Sequence, residues 1–97
     1  MFFEWDPDKD QANQRKHGLS FSEAAELFRD DNDYLEIYDQ EHSEEEDRFL
    51  AIGPIRAGVA VVVYTERSDD VIRLVSARRA TKNEIRLLRE HLENRHV

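Results

Sequence analysis

RFLAIGPIRAGVAVVVYTERSDDVIRLVSAR, residues 48–78, decides the fold of this chain, because it reads as three successive strands divided by two turns. Arg48–Gly53, Val59–Glu66 and Val71–Arg78 are dominated by β-branched and aromatic residues. Turn residues cluster between them, at Pro54–Gly58 and at Arg67-Ser68-Asp69-Asp70. Every residue from Val59 to Tyr64 is apolar, so neither face of that strand can meet water, which predicts a central strand covered on both sides. A tight turn over 67–70 sets 66 opposite 71, 64 opposite 73 and 60 opposite 77. That register makes Tyr64 and Arg73 neighbours on one face, with Glu66 two positions along. It also leaves Arg67 roughly 20–25 Å from Arg78 and Arg79, at about 3.3 Å per residue.

On the C-terminal side, Thr81 and Glu84 form a capping box that opens a helix reaching to about Asn94. Ile85, Leu88 and Leu92 give its apolar stripe, while Lys82, Arg86 and Arg89 share another face. Upstream, Tyr34–Tyr38 reads as a further strand and the acidic stretch to Asp47 as an exposed loop. Ser20 to Glu23 is a second capping box, followed by apolar Phe21, Ala24, Ala25, Leu27 and Phe28. Met1–Trp5 is a short strand. Asp6-Pro7 then starts a helix that Gly18 stops. This first helix, DPDKDQANQRKH, offers only Ala12 as an apolar residue, so it is a solvated connector or a functional surface. The order predicts one α+β domain over residues 1–97: a small antiparallel sheet, made of a meander over about 34–78 plus the N-terminal strand, packed with two N-terminal helices and one C-terminal helix.

The composition excludes several classes of chemistry. The 97 residues contain no cysteine, so disulfides, thiolate metal sites and a cysteine nucleophile are ruled out. His17, His42, His91 and His96 show no metal-ligand spacing; no metal or cofactor is expected. No glycine-rich phosphate loop or nucleophile elbow is present. The first residues make no signal peptide and no apolar run approaches a membrane span, so the expected location is cytoplasmic, without membrane contact. The formal charge of −8 is unevenly spread: residues 30–47 hold ten of the 22 acids and no lysine or arginine. From Arg67 onward eight bases outnumber five acids, which makes the C-terminal third the anion-facing side.

Arg78 and Arg79 run into the N-terminus of the last helix, where free N–H groups favour an anion, although the capping box competes for them. Tyr64, Glu66 and Arg73 form a second candidate, as a catalytic face or as a cross-strand ion pair beside a packed tyrosine. His17 is either a proton carrier near neutrality or a cap on the first helix. His42, His91 and His96 read as solvated.

Phe3-Glu4-Trp5-Asp6-Pro7, Asn13 with Lys16-His17-Gly18, Ser20-Phe21, Ala24-Ala25 and Phe28, His42-Ser43, Ile52-Gly53, Val63 to Arg67 and Ile72 to Thr81 together resemble the BrnT toxin family over nearly the whole chain. The resemblance implies a type II toxin with a RelE-like fold. Such a toxin cleaves RNA, free or on the ribosome, is neutralised by a BrnA-like ribbon-helix-helix antitoxin, and meets operator DNA only through it. RelE-like nucleases need no metal: a 2′-hydroxyl attacks the adjacent phosphate, so the protein supplies a proton acceptor, charge stabilisation and a proton donor. On that basis Arg73 and Arg78 are the leading phosphate contacts and His17 or Glu66 the acid–base candidates. Lys16, Tyr64, Arg67 and Arg79 complete the RNA-binding set. The competing reading is an interaction module without cleavage that binds an antitoxin and tunes repression.

Overall fold

A computed structural model describes residues 1–95; His96 lies outside them. The strands are β1 (Phe2–Glu4), β2 (Leu35–Tyr38), β3 (Arg48–Ile55), β4 (Gly58–Ser68) and β5 (Val71–Arg79). The helices are α1 (Pro7–His17), α2 (Phe21–Ala25), which runs on as a 3-10 turn over Glu26–Phe28, and α3 (Lys82–Asn94). One five-stranded sheet has the order β1-β5-β4-β3-β2. β4 therefore lies at its centre, as its continuous apolar run requires.

The sheet is mixed rather than antiparallel: β1 pairs in parallel with β5, while β2 to β5 form the expected meander. β1 starts beside the β4–β5 turn. The Met1 ammonium meets Asp70 at 3.1 Å and the Phe2 N–H donates to the Asp70 carbonyl at 2.7 Å. Pinned where β5 begins, β1 can only run in the same direction as β5.

All three helix starts behave as their residues dictate. Asp6 caps α1 by accepting from the Asp8 N–H, and Gly18 ends it at φ 70°, a left-handed conformation that costs glycine little. Ser20 with Glu23 and Thr81 with Glu84 form the two reciprocal capping boxes. One sheet face packs against α2 and its 3-10 extension: Leu19, Phe21, Ala24, Leu27 and Phe28 meet Ala51, Ala60, Val62, Tyr64, Ile72, Leu74 and Ala77. On the opposite face Leu88 and Leu92 of α3 cover Ile52 and Val61, with Leu35, Leu50, Val59 and Ala80 around them.

α1 is attached differently. Its one buried residue is Asn13. The Asn13 amide donates to the carbonyls of Ala77 (2.8 Å) and Leu19 (2.9 Å), and its oxygen accepts from the Ala77 N–H (3.0 Å). Pairing of β1 with β5 ends at Glu4 opposite Arg73, so beyond that point the Asn13 amide takes the place of a strand on the β5 edge. A helix with almost no apolar surface is thus held by a polar side chain that imitates backbone.

Candidate active site

Two irregularities in the central hairpin rearrange the expected neighbours. β4 runs to Ser68, leaving Asp69-Asp70 as the turn. Register shifts at Val63/Tyr64 and Glu66/Ser68 leave Val75 and Arg67 without partners. Tyr64 consequently faces Leu74 and Thr65 faces Arg73. Side chains alternate along a strand, so Tyr64 and Arg73 point to opposite faces, contrary to the simple register. Tyr64 belongs to the core, with its ring 4.9 Å from Phe28 and 5.6 Å from Phe49. Its hydroxyl donates to the Glu36 carboxylate. Burial and that carboxylate push the phenol far above its ordinary range, so it stays protonated. Glu66, opposite Ile72, is also on the core-side face and away from Arg73.

Arg73 instead meets Glu4, its cross-strand partner on β1, with Nη1 donating to the carboxylate at 2.8 Å. The pair lies at the end of a rung that crosses four strands on one face: Glu4, Arg73, Thr65 and Arg48 occupy paired positions on β1, β5, β4 and β3. The apolar packing of α3 on this face reaches Leu50 and stops short of the rung. Arg48, Arg73 and Glu4 remain one-third to two-fifths exposed. A carboxylate and two guanidinium groups are therefore partly exposed along one rung, with Thr65 buried between the two arginines. Neither Glu4 nor Arg48 stood out as chemistry in the sequence. Glu4 depends on a pairing with residues about seventy positions away, and Arg48 reads as the polar start of a strand.

The remaining candidates lie elsewhere. Arg78 is held by Glu84 through two 2.8 Å hydrogen bonds. Glu84 also accepts from the Thr81 N–H at 2.8 Å, so the capping box has taken the helix N-terminus. The Arg78 guanidinium, with the Thr81 hydrogen bonds, lowers the Glu84 carboxyl to about 2. Its depressed folded-state pKa adds stability above the ordinary carboxylate range, and that stability disappears as pH falls from about 4.5 towards 2. Glu84→Gln is expected to cost about 1 kcal/mol at pH 7, allowing for exposure. The difference from the parent should vanish near pH 2; urea unfolding at the two pH values checks it.

Arg79 donates to the Ala57 carbonyl at 2.8 Å. Lys16 and His17 lie in the last turn of α1, next to the Asn13 anchor. Arg67 is exposed near the Asp69-Asp70 turn. His42 is exposed and pairs with Asp39 at 2.9 Å, whereas His91 is half-buried. Among the described residues no helix is long and apolar enough to cross a membrane.

A helix pair and a capped C-terminal helix on a five-stranded sheet, with an arginine–carboxylate rung on the uncovered face, define a small α+β protein suited to gripping an anionic chain. A profile described as "Ribonuclease toxin, BrnT, of type II toxin-antitoxin system" matches residues 5–84. The chain belongs to this BrnT family of ribonuclease toxins, whose partner is an antitoxin. The crystal structure of the Brucella abortus ribonuclease toxin BrnT has a similar fold, with a TM-score of 0.62 and 24% identity over 84% of this chain and 100% of that one. No curated protein matches the chain.

Proposed function

We propose that the Glu4–Arg73 pair is the catalytic centre of an RNA-cleaving toxin that works without a metal, on a RelE-like arrangement of strands. Its antitoxin is a BrnA-like ribbon-helix-helix protein, and the cytoplasm is the site of action. The observation that carries this reading is the 2.8 Å contact between a carboxylate and a permanently charged guanidinium on the sheet face that α3 leaves uncovered. In-line attack of the ribose 2′-oxygen forms a new P–O bond and breaks the P–O5′ bond, leaving a 2′,3′-cyclic phosphate and a 5′-hydroxyl. Glu4 accepts the 2′-hydroxyl proton, Arg73 donates to the phosphoryl oxygens as charge builds on them, and solvent on the open face protonates the departing 5′-oxygen. Arg67 and Arg79, towards opposite ends of the β4–β5 hairpin, and Lys16 on α1 add positive charge for the RNA backbone, with His17 beside Lys16. Arg78 holds α3 through Glu84.

The test is incubation of purified chain with single-stranded RNA, with and without ribosomes, in excess EDTA. Fragments ending in 2′,3′-cyclic phosphate are expected at an undiminished rate. Abolition of cleavage by the chelator, or fragments ending in 3′-hydroxyl, would remove this chemistry.

A further inference from the structure

We infer that the free edge of β2 is the docking site for the antitoxin, which adds an extended segment flanked by lysine or arginine as a further strand of the sheet. The inference needs only that the chain has an antitoxin, and does not depend on where RNA is cut. β2 pairs on one side alone, with β3. The Asp39 N–H donates to the Arg48 carbonyl at 2.8 Å, which fixes the antiparallel alternation. Leu35 and Ile37 therefore turn their backbone groups to β3, and those of Glu36 and Tyr38 point away from the sheet. Bare edge groups of this kind are a template for an incoming strand.

The strand itself carries neither proline, lysine nor a bulge, and its one charge, Glu36, accepts from the Tyr64 hydroxyl. Ile37, 37% exposed, and Tyr38, 48% exposed, stand on opposite faces and offer apolar contact to both faces of an added strand. Charge identifies the occupant. Asp30, Asp31 and Asp33 precede β2, and Glu41, Glu44 and Glu45 follow it, all exposed. Arg29 meets Asp31 and Arg95 meets Asp33, whereas Glu41, Glu44 and Glu45 have no ion-pair partner among the described residues. Together with Glu46 they line an open cavity of about 300 Å³ that His42 and Arg48 complete. Four carboxylates outweigh one guanidinium there, so the cavity favours a basic side chain. A second copy of this chain on the same edge would set acid against acid, and RNA would meet the same repulsion.

The experiment compares amide hydrogen exchange in the free chain and in its purified complex with the cognate antitoxin. The Glu36 and Tyr38 amides are expected to exchange about tenfold or more slowly in the complex. Ile37→Lys, which puts a charge on the edge, and the double variant Glu44→Lys/Glu45→Lys should each weaken the antitoxin about tenfold. The double variant should also flatten the salt dependence of binding. Both should cleave RNA at the parent rate when free. Unchanged exchange at Glu36 and Tyr38 would overturn the edge pairing, and parent affinity in the double variant would overturn the basic occupant. Protection of the same amides in the free chain, with a doubled mass, would give the edge to a second copy and overturn the inference too. If Ile37→Lys unfolds, exchange in the parent complex and affinity of the loop variant still decide. Failure of the catalytic reading looks different: Arg73→Ala would cleave as the parent does, whatever happens at β2, three strand spacings or about 14 Å from β5.

Discussion

Arg73→Ala is expected, on the proposed mechanism, to lower the rate of RNA cleavage by about two to three orders of magnitude, the usual loss when a donor to developing transition-state charge is removed from a preorganised site. Glu4→Gln keeps the shape of the carboxylate but removes its basicity, and is expected to lose about 10²- to 10⁴-fold, the range of general base catalysis. Neither change should unfold the chain. The two side chains are 32% and 40% exposed, and an ion pair of that exposure contributes about 1 kcal/mol or less. On the proposed mechanism Arg73 and Glu4 act on one transition state, so the double variant should be hardly slower than the worse single variant. Initial rates on single-stranded RNA, together with growth after induction, check both. Parent rates in either single variant would take that residue out of the chemistry.

The contrast between Arg73 and Tyr64 shows where the sequence was legible and where it was not. Strand identity, the central place of Val59–Tyr64 and all three helix starts followed from local rules of periodicity and capping, which act within a few residues. The neighbours of Arg73 did not. Two irregularities in β4–β5, one of them leaving Arg67 unpaired near the Asp69-Asp70 turn, move Tyr64 from the side of Arg73 to the core. No residue type announces such a bulge: neither Val75 nor Arg67 is a glycine. Glu4 was equally hidden, because its role depends on parallel pairing set by Asp70 at the far end of the chain. Arg78, by contrast, was visible together with its competitor. The Thr81–Glu84 box was readable, and the structure gives the arginine to Glu84.

Charge followed the same division. The acidic segment 30–47 was apparent from composition, and the structure places it around the β2 edge and the β2–β3 connection. Glu46 is the one member paired with a rung residue. Glu41, Glu44 and Glu45 line the same cavity as Arg48 and Glu46, so in a chain of net charge −8 the acid gathers at the Arg48 end of the rung and leaves Arg73 with Glu4 alone. RNA must nevertheless approach against that field, so affinity should depend on local contacts more than on long-range attraction.

Asn13→Ala is expected to destabilise the chain by about 3–5 kcal/mol, the largest stability effect of any single polar substitution here. Three hydrogen bonds vanish together, and the Ala77 N–H and the carbonyls of Ala77 and Leu19 are left buried or poorly solvated. No apolar face on α1 can compensate, since Asn13 is the only residue the helix buries. For a domain of this length, 3 kcal/mol corresponds to a fall in Tm of about 12–24 °C. Asn13→Asp separates the components of the bond set. It keeps an acceptor for the Ala77 N–H but sets a negative charge against two carbonyl oxygens, so it should be at least as damaging at pH 7 and recover partly once the carboxyl protonates below about pH 4. Urea unfolding of the three chains at pH 7 and pH 3.5 measures this. A loss below about 1 kcal/mol for Asn13→Ala would mean that α1 is held by something other than the β5 edge.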